Sequence, residues 1–522
     1  MRSLLLAPTI VAVILPLRVP SPDMVDTAAR QSADVLSTGI EGLDDVLNGG
    51  LAPGGLYAVE GDTGAGKTTL SLQFLLAGVR RDEPALFVTL SESAADLRWM
   101  AASHGWSLDG IEILELISSD EELSPDSHYT MFHPSEIELT ETTRAILAAA
   151  ERIKPKRVVI DSMGELRLLA QSQLRYRRQV LSLKQYFVRA GATLVMVDDP
   201  RAENAEMAIA SIASGIITLE REATPYGAFR RRLQVLKMRG RSVREGYNDC
   251  RIVKGGLEVY PRLVAAEHTV SYARESIKSG LVELDQLLGG GLARGTSSLF
   301  LGPAGTGKSS LAAQYARAAA ARGEHAAIFL FDESIATYTE RSAGLGLDVK
   351  GLIDAGKFTV RQVDPAELSP GEFAHSVRVM VEKQNTRVVV IDSLTGYLNA
   401  MPNEQLLSLH LHELLTYLGG QGVTTILLMA QHGLLAAEAE SPVDASYLAD
   451  TVVLLRFFEA RSQVSIAVSV IKKRTGDHER TIRELRFEHG GLVLSNPITG
   501  FSGVLVGNAQ AVAPVLRQRR KS

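Results

Sequence analysis

Gly61-Asp62-Thr63-Gly64-Ala65-Gly66-Lys67-Thr68 is the stretch that decides the fold. It follows a short apolar run, Leu56–Glu60, and leads into a helical pattern, Thr68–Val79. In a strand–loop–helix setting, glycines let backbone N–H groups converge on phosphate oxygens at a helix N-terminus, where the dipole favours anions. Lys67 is then the residue that reaches the β- and γ-phosphates, and the Thr68 hydroxyl the ligand for Mg²⁺. Gly61, Thr63, Gly64, Ala65, Gly66 and Thr69 complete the expected nucleotide-binding set. The arrangement recurs as Gly302-Pro303-Ala304-Gly305-Thr306-Gly307-Lys308-Ser309, followed by Ser310, so Gly302, Ala304, Gly305, Thr306, Gly307, Lys308, Ser309 and Ser310 form a second set. Both sets are read as ATP sites with Mg²⁺ as the accompanying ion.

The two loops are parts of a longer repeat. Ser37-Thr38-Gly39-Ile40-Glu41-Gly42-Leu43-Asp44 returns as Lys278-Ser279-Gly280-Leu281-Val282-Glu283-Leu284-Asp285, and Asn48-Gly49-Gly50-Leu51 as Gly289-Gly290-Gly291-Leu292. The offset is shared, 302 − 61 = 241 for the loops and 279 − 38 = 241 for the preceding motif. One offset over several separated motifs is the signature of duplication.

Outward from each loop the order repeats. Continuous apolar runs at Ala85–Leu90, Arg157–Ile160 and Thr193–Val197, and at Ala326–Phe331, Arg387–Ile391 and Thr424–Met429, predict parallel strands buried on both faces. Helical stretches such as Glu136–Ile153, Tyr176–Arg189 and Gln405–Leu418 separate them. The fold class is therefore α/β, with two tandem P-loop NTPase domains, each a mostly parallel sheet flanked by helices. The expected boundaries are a poorly structured leader over 1–33, domains over 34–264 and 265–506, a linker near Pro261–Arg274, and a flexible basic tail over 507–522.

Composition narrows the function classes. A net charge of −5 and a pI of about 6.2 give no basic excess of the kind that tracks nucleic-acid backbones. The run Arg230-Arg231-Arg232 reads as a solvated strand edge. A single cysteine, Cys250, excludes an internal disulfide and a cysteine-based zinc cluster and is compatible with the cytoplasm. The apolar stretch Leu4–Leu17 is too short to span a bilayer and is broken by Pro8 and Pro16, so it reads as a leader ahead of a start at Met24.

The remaining chemistry sits at strand ends. Asp161, closing Val158-Val159-Ile160, and Asp392, closing Val389-Val390-Ile391, are placed to hold Mg²⁺, the alternative being helix capping. Glu92 in copy one, and Asp332 and Glu333 in copy two, follow the strand after the loop helix. They are the carboxylates able to activate a hydroxyl or water. The offset 333 − 92 = 241 makes Glu92 and Glu333 equivalent and sets Ser91 opposite Asp332. Gln431-His432 ends a strand where a γ-phosphate could be sensed. His410 and His412 lie two apart in a helix pattern and do not share a face.

Together these motifs, with Phe87-Val88-Thr89-Leu90-Ser91-Glu92, Leu236-Lys237-Met238-Arg239-Gly240, Asp364-Pro365-Ala366-Glu367-Leu368, Leu448-Ala449-Asp450-Thr451, Lys472-Lys473-Arg474 and Ile482-Arg483-Glu484, resemble the KaiC family, double-domain ATPases and autokinases of circadian clocks, over about residues 34–506. The resemblance implies a RecA-like fold in each domain and a homohexamer of two stacked rings with ATP at subunit interfaces. It further implies KaiB-like or other signalling partners. In that picture Lys237 and Arg239, and Lys472 and Arg474, reach the nucleotide of the neighbouring subunit. The sequence departs from the family at two places. The paired glutamates become Ser91-Glu92 and Asp332-Glu333. The Ser-Thr phosphoacceptor pair becomes Ser446-Tyr447, which leaves Ser446 as the serine to be autophosphorylated. Two other readings use the same fold: a RecA- or DnaB-like DNA-dependent ATPase, and an ATP-stabilised scaffold with little turnover.

Overall fold

The computed structural model describes residues 35–116, 134–199, 208–224, 227–399, 404–431, 445–460, 462–488, 491–506 and 509–511. The expected leader, His432 and most of the expected basic tail lie outside the described residues. Two nine-stranded sheets carry the architecture. In the first, the strands run in the order Ile111–Glu115, Ala85–Thr89, Arg157–Asp161, Thr193–Asp198, Leu56–Gly61, Gly215–Glu222, Arg230–Met238, Asn248–Val253, Gly256–Tyr260. Pairing is parallel from Ile111–Glu115 through Leu56–Gly61. It is antiparallel between Arg230–Met238 and Asn248–Val253.

The second sheet repeats the order strand for strand, as Phe358–Gln362, His325–Leu330, Thr386–Asp392, Thr424–Ala430, Ser297–Gly302, Thr451–Ala460, Gln463–Lys473, Arg483–Glu488, Gly491–Pro497. Five strands flow in parallel into Thr451–Ala460, and the last three pairings are antiparallel. The α/β class and the duplication expected from the sequence are both present.

The period-2 geometry of a strand sends neighbouring residues to opposite faces. In Thr386–Asp392, Val388 and Val390 enter one core with Phe300, Ile328 and Leu428, whereas Val389 and Ile391 enter another with Leu299, Phe329 and Leu427. This double burial is why the strands read as unbroken apolar runs. In the first sheet Leu86, Val88, Val158 and Ile160 pack with Leu166, Tyr176 and Phe187 from the covering helices.

The described residues group into two compact units, one running up to Thr218 with Val235–Glu245 and Val253–Gly256, the other Leu219–Gln234 with Gly246–Ile252 and the described residues from Leu257 onward. The stretch expected as a linker is not featureless. It contains a 3-10 turn, Ala265–His268, and Leu263 and Ala265 are buried in the second unit's core. The arginine run is also not at an edge, because Arg230–Met238 lies between two other strands. Its arginines are half-buried, and Arg232 pairs with Glu222.

One internal feature was not visible in the pattern. Arg157, at the start of a central strand, is fully buried. Its Nε donates to Glu83 at 2.6 Å, and its Nη1 donates to the carbonyls of Ser37 and Phe74 at 2.7 and 2.8 Å. The guanidinium also lies 4.8 Å from the centre of the Phe74 ring. It ties the loop-bearing helix to the repeat's opening motif.

Candidate active sites

Each glycine-rich turn is built for an anion. Gly64 and Gly66 have φ of 76° and 113°, and Gly305 and Gly307 have φ of 83° and 87°, values that only glycine adopts without strain. A Cβ on Gly307 would also stand 2.7 Å from the Phe487 ring. The helices that follow, Lys67–Val79 and Lys308–Ala321, have no side chain capping their first turn. Their leading N–H groups therefore face the turn, where a phosphate satisfies them.

In copy one the Lys67 ammonium donates to the carbonyls of Gly61 at 2.5 Å and Asp62 at 3.0 Å. In copy two Lys308 does the same to Gly302 and Pro303, at 2.7 Å each. The lysines are thus held over their own loops. Burial pushes the Lys308 ammonium down to about 8, with Asp392 partly opposing the shift.

The Thr68 hydroxyl donates to Asp161 at 2.9 Å. Asp161 is buried at the end of its strand, and burial pushes its carboxyl up to about 6, opposed by the Thr68 hydrogen bond and by Lys67. Asp392 is raised for the same first reason and is hydrogen-bonded to Ser309. A hydroxyl beside a carboxylate that burial leaves under-neutralised is an oxygen donor set suited to a hard divalent cation. Thr68 with Asp161, and Ser309 with Asp392, are the residues that fit Mg²⁺.

The catalytic-carboxylate candidates stand across from these pairs. Leu90 N–H bonds to the Asp161 carbonyl at 2.8 Å, and Phe331 N–H to the Asp392 carbonyl at 2.7 Å, so in each copy the loop is tied to the neighbouring strand end. Ser93 and Ser334 then cap the next helices, accepting from Asp96 N–H and Thr337 N–H at 3.1 Å each. The glutamate immediately before the cap is therefore placed by the helix start. Partial desolvation, followed by repulsion from Asp96, raises the Glu92 carboxyl.

The copies differ sharply around Glu333. Arg341 grips it with two bonds, Nε to Oε1 at 3.1 Å and Nη2 to Oε2 at 2.8 Å, and Arg341 Nη1 also donates to Ser310 at 3.3 Å. Burial would lower the Arg341 guanidinium, but the Glu333 pair holds it above its ordinary value. The neighbouring carboxylate, Asp332, accepts from the Ser393 hydroxyl at 2.5 Å, and that hydroxyl accepts from Gly396 N–H at 3.1 Å. Asp332 is thus engaged with the turn behind Asp392. Glu333, Arg341, Lys308, Ser309, Ser310, Leu345 and Phe487 line a cleft of about 570 Å³.

The basic pairs expected at a neighbour's nucleotide make contacts within the chain. Lys237 donates to the Ala210 carbonyl, and Arg239 Nη2 to the Ser211 carbonyl at 2.9 Å. Lys472 donates to the carbonyls of Ser446 and Ala449 at 2.8 Å each. Arg474 reaches the Tyr447 carbonyl at 3.1 Å and Asp450 at 3.4 Å. These matched contacts set Ser446 opposite Ala210, so the hydroxyl at that position belongs to copy two alone. Gln431 N–H bonds to the Gly302 carbonyl at 3.2 Å, which places that strand end beside the second loop.

Arg341, Ser393 and a partly buried ion pair beside the first loop strand were not singled out from the sequence. The pair is Asp198 with Arg167, 2.5 Å apart, and Asp198 lies in register with Glu60. Sliding the chain against itself by 241 residues sets Arg341 opposite Met100 and would have flagged it as a charge confined to one copy.

The KaiC family, described as "ATPase: KaiC", matches this chain twice, over residues 36–264 and 277–497. The chain is similar to the circadian clock oscillator protein KaiC of a Picosynechococcus species, 25% identical over 94% of this chain and 95% of the relative. It is also similar to those of Parathermosynechococcus lividus, 26% identical over 94% and 91%, and Synechococcus elongatus, 26% identical over 92% and 93%. With both halves matched and both loops intact, the chain belongs to the KaiC family of ATPases.

Proposed function

We propose that this KaiC-family ATPase hydrolyses ATP at both loops and transfers phosphate to its own Ser446, acting as a timing or signalling device read by protein partners. Its domains are 34–264 and 265–506. Lys67 and Lys308 with the loop N–H groups hold the phosphates, and Glu92 and Glu333 take the proton from the attacking water or hydroxyl. Mg²⁺, held by Thr68 with Asp161 and by Ser309 with Asp392, supplies neutralisation of phosphate charge. Lys237, Arg239, Lys472 and Arg474 complete the sites of neighbouring subunits in a nucleotide-dependent homohexamer, and a KaiB-type partner reads its state in the cytoplasm.

The observation that carries the phosphotransfer reading is the fixed Ser446 turn. Its carbonyl is gripped by Lys472, in the place where copy one has Ala210. Tyr447 beside it is exposed, and its phenol is longer and stiffer than the hydroxyl of a threonine. Incubation of the purified chain with ATP, followed by native mass and phosphopeptide mapping, tests the proposal. Phosphate on Ser446 in a nucleotide-dependent hexamer is the expected result, and an unmodified monomer overturns it. A DNA-driven motor would show salt-sensitive DNA affinity and DNA-stimulated turnover. Neither is expected of a chain of net charge −5.

A further inference from the structure

We propose that Arg341 is a positioning residue peculiar to the second site, which holds Glu333 by both carboxylate oxygens and makes that site the slower and tighter of the two. The inference rests on the reading of both loops as ATPase sites. Arg341 lies on the helix Ile335–Gly344, 341 − 333 = 8 residues beyond Glu333, which directly precedes the Ser334 cap of that helix. From there the guanidinium fork meets the carboxylate side-on, at 2.8 and 3.1 Å. Such a pair combines charge with geometry. The Tyr338 ring, 5.3 Å from the Arg341 Cζ, and Ser310, at 3.3 Å from Nη1, fix the fork from two other sides.

Two consequences follow for the chemistry. In hydrolysis the water oxygen bonds to the γ-phosphorus and the bond to the β,γ-bridging oxygen breaks, giving ADP. The water's proton passes to Glu333 and from there to solvent. With both carboxylate oxygens held by the guanidinium, one of these bonds must open before the carboxylate can meet the water, so turnover at the second site is restrained. Arg341 also lines the cleft with Lys308, Ser309 and Ser310 and adds a positive charge where an anionic nucleotide enters, which tightens binding. Copy one has neither effect, because Met100 stands eight residues beyond Glu92 on the equivalent capped helix, Ala94–Ser103. The two loops share their phosphate-binding parts and differ in this clamp.

The test uses full-length chains with one loop disabled, Lys67→Ala to isolate the second site and Lys308→Ala to isolate the first. Steady-state ATP turnover and ATP affinity are measured with Arg341→Met and Arg341→Lys in the former and Met100→Arg in the latter. Loss of a half-buried pair corresponds to about fivefold. Arg341→Met is expected to raise kcat and KM together by about that factor, with Arg341→Lys between. Met100→Arg is expected to lower both at the first site. A merely structural arginine would lower thermal stability without this joint movement. Should Arg341→Met fail to fold, the Met100→Arg and Arg341→Lys arms still decide. Parents that hydrolyse ATP alongside variants with unchanged kcat, or with kcat lowered by Arg341→Met, overturn the clamp alone. Parents and wild type that neither bind nor hydrolyse ATP overturn the ATPase reading, and the clamp with it.

Discussion

Replacing Asp161 by asparagine should stabilise the first domain when no metal is present and remove its response to magnesium. Burial raises the Asp161 carboxyl from 3.8 to about 6. Between those values the folded chain holds a proton that the unfolded chain has released, so stability falls as pH rises through the window. Two pKa units correspond to about 3 kcal/mol, present as a penalty above pH 6. Asparagine keeps an oxygen for the Thr68 hydroxyl and carries no charge, but its amide group needs a partner, which costs about 1 kcal/mol. The net expectation is a gain of about 2 kcal/mol at pH 7.5 in chelator, or roughly 4–8 °C in the first domain's transition. Differential scanning calorimetry from pH 4 to 8, in chelator and in Mg²⁺ with ATP, measures this. The wild type should lose stability from pH 4 to 6 and regain it with Mg²⁺ and ATP, whereas Asp161→Asn should lose less over that range, the raised Glu92 carboxyl still titrating, and gain much less from the ligand. A variant that melts lower in chelator, or that responds fully to Mg²⁺ and ATP, refutes the reasoning.

Two other outcomes are expected. Lys308, lowered to about 8, must be charged to hold phosphate, so ATP binding at the second site should take up a proton above pH 8. In a Lys67→Ala background its affinity should then fall up to about tenfold per pH unit there, and constant affinity from pH 7 to 9.5 would contradict this. Arg157→Leu leaves Glu83 and the Ser37 and Phe74 carbonyls without their partner, so it should cost about 3–5 kcal/mol in denaturant unfolding of the first domain. A loss below about 1 kcal/mol would show that the buried guanidinium is not needed.

The parts that the sequence made legible are those in which local chemistry and tertiary placement agree. Parallel strands buried on both faces must be apolar throughout, so Val158–Ile160 and Val388–Ile391 announce themselves, and the aspartates that close them are set by the sheet. The loops read clearly because Gly66 and Gly307 need positive φ and Lys67 and Lys308 follow at once. What stayed hidden depends on side chains meeting across the fold or around a helix. Arg157 is a fully buried charge at the head of a central strand, and only three distant acceptors, invisible in the local pattern, make it tolerable. The arginine run at 230–232 looked like an edge because an interior strand normally excludes charge. Arg341 was missed because a single arginine on an amphipathic helix is unremarkable until Glu333 is seen beneath it. Lys237 and Lys472 were read by resemblance as reaching outward, yet in the chain itself they hold the carbonyls of Ala210 and Ser446.

The most direct test of two working nucleotide sites is the stoichiometry of ATP bound at equilibrium by the full-length chain and by Lys67→Ala, Lys308→Ala and the double variant, with turnover followed in the same samples. The account predicts two nucleotides per chain, one in each single variant and none in the double, with turnover falling in step. One nucleotide per wild-type chain, or binding that survives the double substitution, would contradict it.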